Sequence, residues 1–92
     1  MTRIIVKKLI WDNWSTEHIK KHDVMKEEVE KVAKNLIAHK VGKKGRYIAM
    51  GRSGSRLLSL VLSRKGPGVY YVVTARDSSR KERREIYEKE QI

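Results

Sequence analysis

Arg80, Arg83, Arg84 and Tyr87 stand at i, i+3, i+4 and i+7 in the segment Ser79–Glu88, the spacing of one face of a helix. Three guanidinium groups beside a phenol make a planar cationic cluster. Such a cluster suits a phosphodiester held by forked hydrogen bonds, with an aromatic ring on which a base can stack. Arg76 precedes it at the end of the β-branched and aromatic run Val69–Arg76. An RNA-handling chemistry needs no metal when the substrate's own 2′-hydroxyl is the nucleophile. It needs a base for that proton, a cation for the charged transition state and an acid for the leaving oxygen. Arginine supplies the cation, and His, Tyr, Lys or Glu can carry protons. Of the three histidines, His22 has the best chance of facing such a site.

The charge balance points the same way. The 92 residues carry a formal charge of +11. Residues 15–35 have five lysines against five acids, whereas residues 36–92 have fourteen bases against five acids, a net of +9. An asymmetric, arginine-rich excess favours a polyanionic partner over a generic basic surface. The length predicts one domain, 1–92, with a modest core and a shallow surface site. No cysteine is present, which removes disulfides, thiolate nucleophiles and zinc–sulfur clusters and fits a cytoplasmic location. The run from Arg3 to Ile10 is too short and too charged to span a membrane or to be a signal peptide. His18 and His22 have metal-compatible i, i+4 spacing, but Ile-Lys-Lys lies between them in place of a zinc-protease motif. Neither a metal nor another cofactor is therefore expected. Trp11 and Trp14 read as core residues flanking a helix start.

The elements that must position these groups follow from periodicity. A short strand is expected over Ile4–Trp11, a helix capped by Asp12 or Asn13 and running to His22, and a second helix over Met25–Asn35. The pattern then turns extended. Leu36–Val41 reads as an edge strand, Arg46–Arg52 and Arg56–Lys65 as strands joined at Ser53-Gly54-Ser55, and Val69–Arg76 as the last strand after Gly66-Pro67-Gly68. Ser79 and Glu82 form a capping box for the terminal helix. The fold class is α+β, with two N-terminal helices, a three- to four-stranded antiparallel meander and a C-terminal helix. Alternation assigns Leu58, Leu60 and Leu62 to the packed face with Ile48, Met50, Tyr71 and Val73. Ser59, Ser63, Tyr70, Thr74 and Arg76 go to an open face. On that face, truncating Arg76 should change stability little.

Taken together, these residues resemble the BrnT family of type II toxin–antitoxin systems. The resemblance rests on Ile10-Trp11-Asp12 and on Glu17-His18-Ile19, followed by His22, Val24 and Glu27-Glu28-Val29. It continues in Gly45-Arg46-Tyr47-Ile48-Ala49-Met50-Gly51 and in Thr74-Ala75-Arg76 leading to Arg80, Arg83-Arg84 and Tyr87. It covers nearly the whole chain in order. It implies a RelE-like toxin fold and a metal-independent endoribonuclease that cleaves mRNA and inhibits translation. It also implies a BrnA-like antitoxin that neutralises the toxin and through which alone operator DNA is bound. Arg46 and Arg76 match the family's sheet-site arginines and Tyr87 its terminal aromatic. Gly45 stands where many members carry an acid, and Ser15 where the first helix often has asparagine. The expected catalytic set is Arg76, Arg46, Tyr87 and His22, and the expected RNA contacts are Arg80, Arg83, Arg84, Arg52, Lys43 and Lys44. Two other readings fit the same basic face: a non-catalytic RNA- or DNA-binding module, and a structural partner subunit.

Overall fold

In the computed structural model, which describes residues 4–90, three helices pack on a five-stranded sheet. The elements are β1 (Lys8–Ile10), α1 (Asn13–Lys20), α2 (Lys26–Lys34), β2 (Leu36–Val41), β3 (Tyr47–Ser53), β4 (Arg56–Gly66), β5 (Val69–Asp77) and α3 (Arg80–Glu90). The α+β class and the order of elements match the sequence reading. The sheet differs from the expected three or four antiparallel strands, because β1 joins as a fifth and runs parallel to β5 in the order β1-β5-β4-β3-β2. Lys7 and Lys8 start that pairing by donating their backbone N–H groups to the Gly68 carbonyl.

Local chemistry explains most boundaries. Asp12 caps α1 by accepting from the Ser15 N–H at 2.8 Å, while the buried Ser15 hydroxyl accepts from the Asp12 N–H at 3.0 Å. The β4–β5 turn is Pro67-Gly68, with Gly68 at φ +76, the left-handed position that a Pro-Gly turn assigns to glycine. Gly51 in β3 permits close approach of α2: a Cβ there would sit 3.0 Å from a Val32 methyl and 3.1 Å from the Asn35 carbonyl.

Register decides the two faces, since cross-strand partners share a side. Leu58, Leu60 and Leu62 pair with Asp77, Ala75 and Val72 and bury against Ile19, Val29 and Val32 of α1 and α2. Several sequence assignments change here. Ile48 and Met50 pair with Val61 and Ser59, so they lie on the opposite face, where Met50 packs with Ala38, Leu57 and Ile86. Tyr70 is buried in the leucine core rather than open, and Tyr71 pairs with Ser63 and donates its hydroxyl to Asp12. The tyrosines exchange faces through an irregularity in β5: Thr74 pairs with Val61 and Val72 with Leu62, leaving Val73 as an extra residue, while Thr74 and Arg76 keep the expected face with Ser59. The second face is not open where α3 crosses it. Ile86 is fully buried there, and Ser59 lies beneath the helix.

Among the described residues, no helix is long and apolar enough to cross a membrane.

Candidate functional site

Helix α3 has two chemically opposite sides. On its inner side Glu82 is buried, 4 % exposed, and is the hub of a polar network. Arg76 donates from both Nη atoms to the two carboxylate oxygens, at 2.7 and 2.9 Å. The Ser59 hydroxyl donates to the same carboxylate at 2.9 Å and also pairs with Ser78, while the Ser79 N–H donates at 2.8 Å. Burial pushes the Glu82 carboxyl up, but the Arg76, Ser79 and Ser59 donors outweigh it and hold it at about 2. Further along, Glu85 pairs with Lys40 of β2 at 3.5 Å and Glu90 with Arg52 of β3. The sequence showed Glu82 as a cap. Its second task, engaging Arg76, depends on β5 ending beside the first turn of the helix.

The outer side carries Arg80, Arg83, Arg84 and Tyr87, which line one open concavity of about 310 Å³. Among the described residues, no ion pair engages these three arginines. Tyr87 is 47 % exposed, so its ring packs little and faces the groove. The helical spacing thus does bring these four side chains together, as the sequence predicts.

Arg83 and Tyr87 also line a second, adjoining hollow of about 410 Å³ with Arg56, Asp77 and Ser78. Arg56, at the start of β4, is the strut of this end of the sheet. It donates to Asp77 at 2.7 Å, to Glu28 at 3.1 Å, and to the backbone carbonyls of Asp23 at 2.7 Å and His22 at 3.3 Å. The hydrogen bond from Arg56 lowers the Asp77 carboxyl, with smaller contributions from the Arg83 and His22 charges. The His22 backbone carbonyl therefore borders Arg56, while its ring is not part of the lining of the hollow. Sequence reading missed Arg56 and Asp77. Their available signal was opposite charges at the start of one strand and the end of its neighbour.

Other expected site residues are placed elsewhere. Arg76 is not a free cation on an open face, because its guanidinium is committed to Glu82. Removing it would strand a buried carboxylate, which reverses the expectation of little effect on stability. Arg46 is exposed at the β2–β3 hairpin, where its backbone N–H and carbonyl close the turn with Lys43 and Gly42. Continuing the register, Arg46 falls beside Ser63, four residues along β4 from the Ser59 that pairs with Arg76. With β4 between their strands, the two backbones stand roughly 16 Å apart. Lys43 and Lys44 share the Arg46 end, with Lys44 in the left-handed region at φ 58. Arg52 is occupied by Glu90.

The tryptophans also separate. Trp11 is half-buried, with the Lys26 ammonium 5.2 Å from its ring centroid. Trp14 is not a core residue: it is 55 % exposed and stacks on His18, whose ring in turn lies 5.7 Å from that of His22. Among the described residues, no group of three His, Asp or Glu side chains could hold a metal ion. No protein-family model matches the chain, and no curated protein matches it at a significant level.

Proposed function

We propose that this protein is the toxin of a type II toxin–antitoxin pair, with a RelE-like fold, acting as an endoribonuclease on single-stranded RNA at the outer side of α3. The observation that carries this reading is the groove formed by Arg80, Arg83, Arg84 and Tyr87, a phenol and three guanidinium groups that form no ion pair among the described residues, in one concavity. Guanidinium forks hold the phosphodiester and stabilise the charge that develops on its oxygens. The 2′-oxygen attacks phosphorus as the bond to the 5′-oxygen breaks, leaving a 2′,3′-cyclic phosphate. Tyr87, which shares the hollow with Arg56 and Asp77, and His22, whose carbonyl meets Arg56, are the proton carriers: one takes the 2′-hydroxyl proton and the other supplies one to the leaving oxygen. Arg76 serves from beneath, fixing α3 through Glu82. An acidic antitoxin of the BrnA kind inhibits by covering the arginine stripe, and operator DNA is reached only through it.

One observation favours a second reading, a non-catalytic RNA-binding module: Arg46 and Arg76 are far apart, and Arg76 is neutralised. Incubation of the protein with single-stranded RNA in excess chelator separates the two. Products with 2′,3′-cyclic or 3′-phosphate ends, lost in Tyr87→Phe or His22→Ala, support the nuclease. Binding without any product supports the module.

A further inference from the structure

The groove of α3 does not account for the exposed aromatic side of α1. Trp14 and His18 stand four residues apart on α1, and His22 follows in the turn after the helix ends at Lys20; ring contacts join the three. The Trp14 indole and His18 imidazole are stacked, with centroids 4.6 Å apart and planes 22° apart; the His22 ring follows at 5.7 Å, tilted by 57°. Ile19 alone of this segment's large apolar side chains turns fully into the core. An indole left 55 % exposed contributes little to packing, yet the stack on His18 holds its ring in place.

The position of this row gives it a ligand. Its last member, His22, gives its carbonyl to Arg56, and Arg56 binds Asp77. Both residues line the hollow shared with Arg83 and Tyr87. The backbone at the end of the aromatic row thus touches Arg56, and Arg56 joins the row to the hollow that Arg83 and Tyr87 share. Residues 15–35, which carry His18 and His22, are electrically neutral, so the row offers ring faces rather than phosphate contacts. Single-stranded RNA has both parts: a phosphate backbone for guanidinium groups and unstacked bases for aromatic planes.

We propose, resting on the RNA reading of the α3 groove, that Trp14, His18 and His22 form a base-stacking rail. The rail takes the nucleotides flanking the phosphate held by Arg83. Binding along it tolerates any base, because every base has a stacking face.

The probe is a 2′-O-methyl oligoadenylate, which cannot be cleaved through its own 2′-oxygen, compared with the same strand carrying abasic units. Binding should quench indole fluorescence. Trp14→Ala should weaken binding to the base-bearing strand by at least about fivefold, whereas Trp14→Phe should retain most of it. Wild type should lose at least that factor on the abasic strand, and Trp14→Ala should discriminate less than wild type between the two strands. Unchanged thermal unfolding of both variants shows that the fold is intact. If Trp14→Ala binds as tightly as wild type while Arg83→Gln with Arg84→Gln weakens binding, the rail is refuted and the groove stands. Equal losses on the two strands refute stacking in the same way. If wild type binds neither strand, the groove itself is refuted, and the rail with it.

Discussion

The two sides of α3 use the same helix in opposite ways. Inward, Glu82, Glu85 and Glu90 each meet a cation supplied by the sheet, and Ile86 fills a small second core. Outward, Arg80, Arg83 and Arg84 form no ion pair among the described residues, and Arg83 alone is close enough to an acid, Asp77, to act on its charge. A helix with so little apolar surface docks here chiefly through its carboxylates, on a sheet that supplies Arg76, Lys40 and Arg52. Spending the acids inward leaves the outward cations uncompensated. Docking and ligand recognition are thus one distribution of charge, and inner-side substitutions should act on stability while outer-side ones act on binding.

The largest effect that tests this division is Glu82→Ala. It leaves Arg76 and Ser59 without their shared acceptor and should cost about 3–5 kcal/mol in urea unfolding, as breaking a buried pair does. Arg84→Ala should stay within about 0.5 kcal/mol. Similar costs for both would erase the distinction between the sides.

Acid should expose the same pair. The Glu82 carboxyl is held at about 2 in the folded protein, below its ordinary 4.5. Its stabilising contribution is therefore complete above about pH 5 and lost as the pH falls toward 2. The loss should be of order 2–3 kcal/mol. Glu82→Gln, which cannot titrate, should lack this component, and an unchanged acid limb in that variant would assign it elsewhere.

On the outer side, Arg83→Gln with Arg84→Gln should leave unfolding unchanged and act on RNA. If about four cations engage a single strand, the slope of log affinity against log salt is near −3, and the double variant should flatten it by about 1.4. A flat response in wild type would make the stripe a solvated surface.

The smallest effect is expected at the helix end. Glu90→Ala breaks the pair with Arg52, in which both side chains are about a third exposed, and should cost less than about 1 kcal/mol.

What the chain reveals before folding depends on how local the physics is. The Arg80-to-Tyr87 stripe is legible because helical periodicity acts over seven residues, and the leucines of β4 because alternation acts over two. Tyr70 and Tyr71 exchange faces because one extra residue at Val73 inverts the alternation, whereas Thr74 and Arg76 keep the expected face; Ile48 and Met50 lie on the other face because register with β4 is a relation between strands. Trp14 reads as core because it flanks the helix start beside apolar neighbours, yet a tryptophan two residues past a cap has no fixed side until the helix docks through Ile19. Arg76 looked like a free cation because its partner is six residues ahead across a strand-to-helix corner. Arg56 and Asp77 carry no motif, and only the β4–β5 hairpin unites them.

The parallel pairing of β1 has a bearing on how the chain is made. Lys8 pairs with Val69, sixty-one residues further on. At synthesis rates of roughly 5–20 residues per second, the first strand waits roughly 3–12 s before its only neighbour exists. For the second half of that interval α1 and α2 have been made, but β5, the partner of the strand that leads into them, has not. Closure of such a distant contact is slow compared with forming hairpins. The β2–β5 meander is therefore the natural nucleus, and the N-terminal strand is the last piece to be sealed in place.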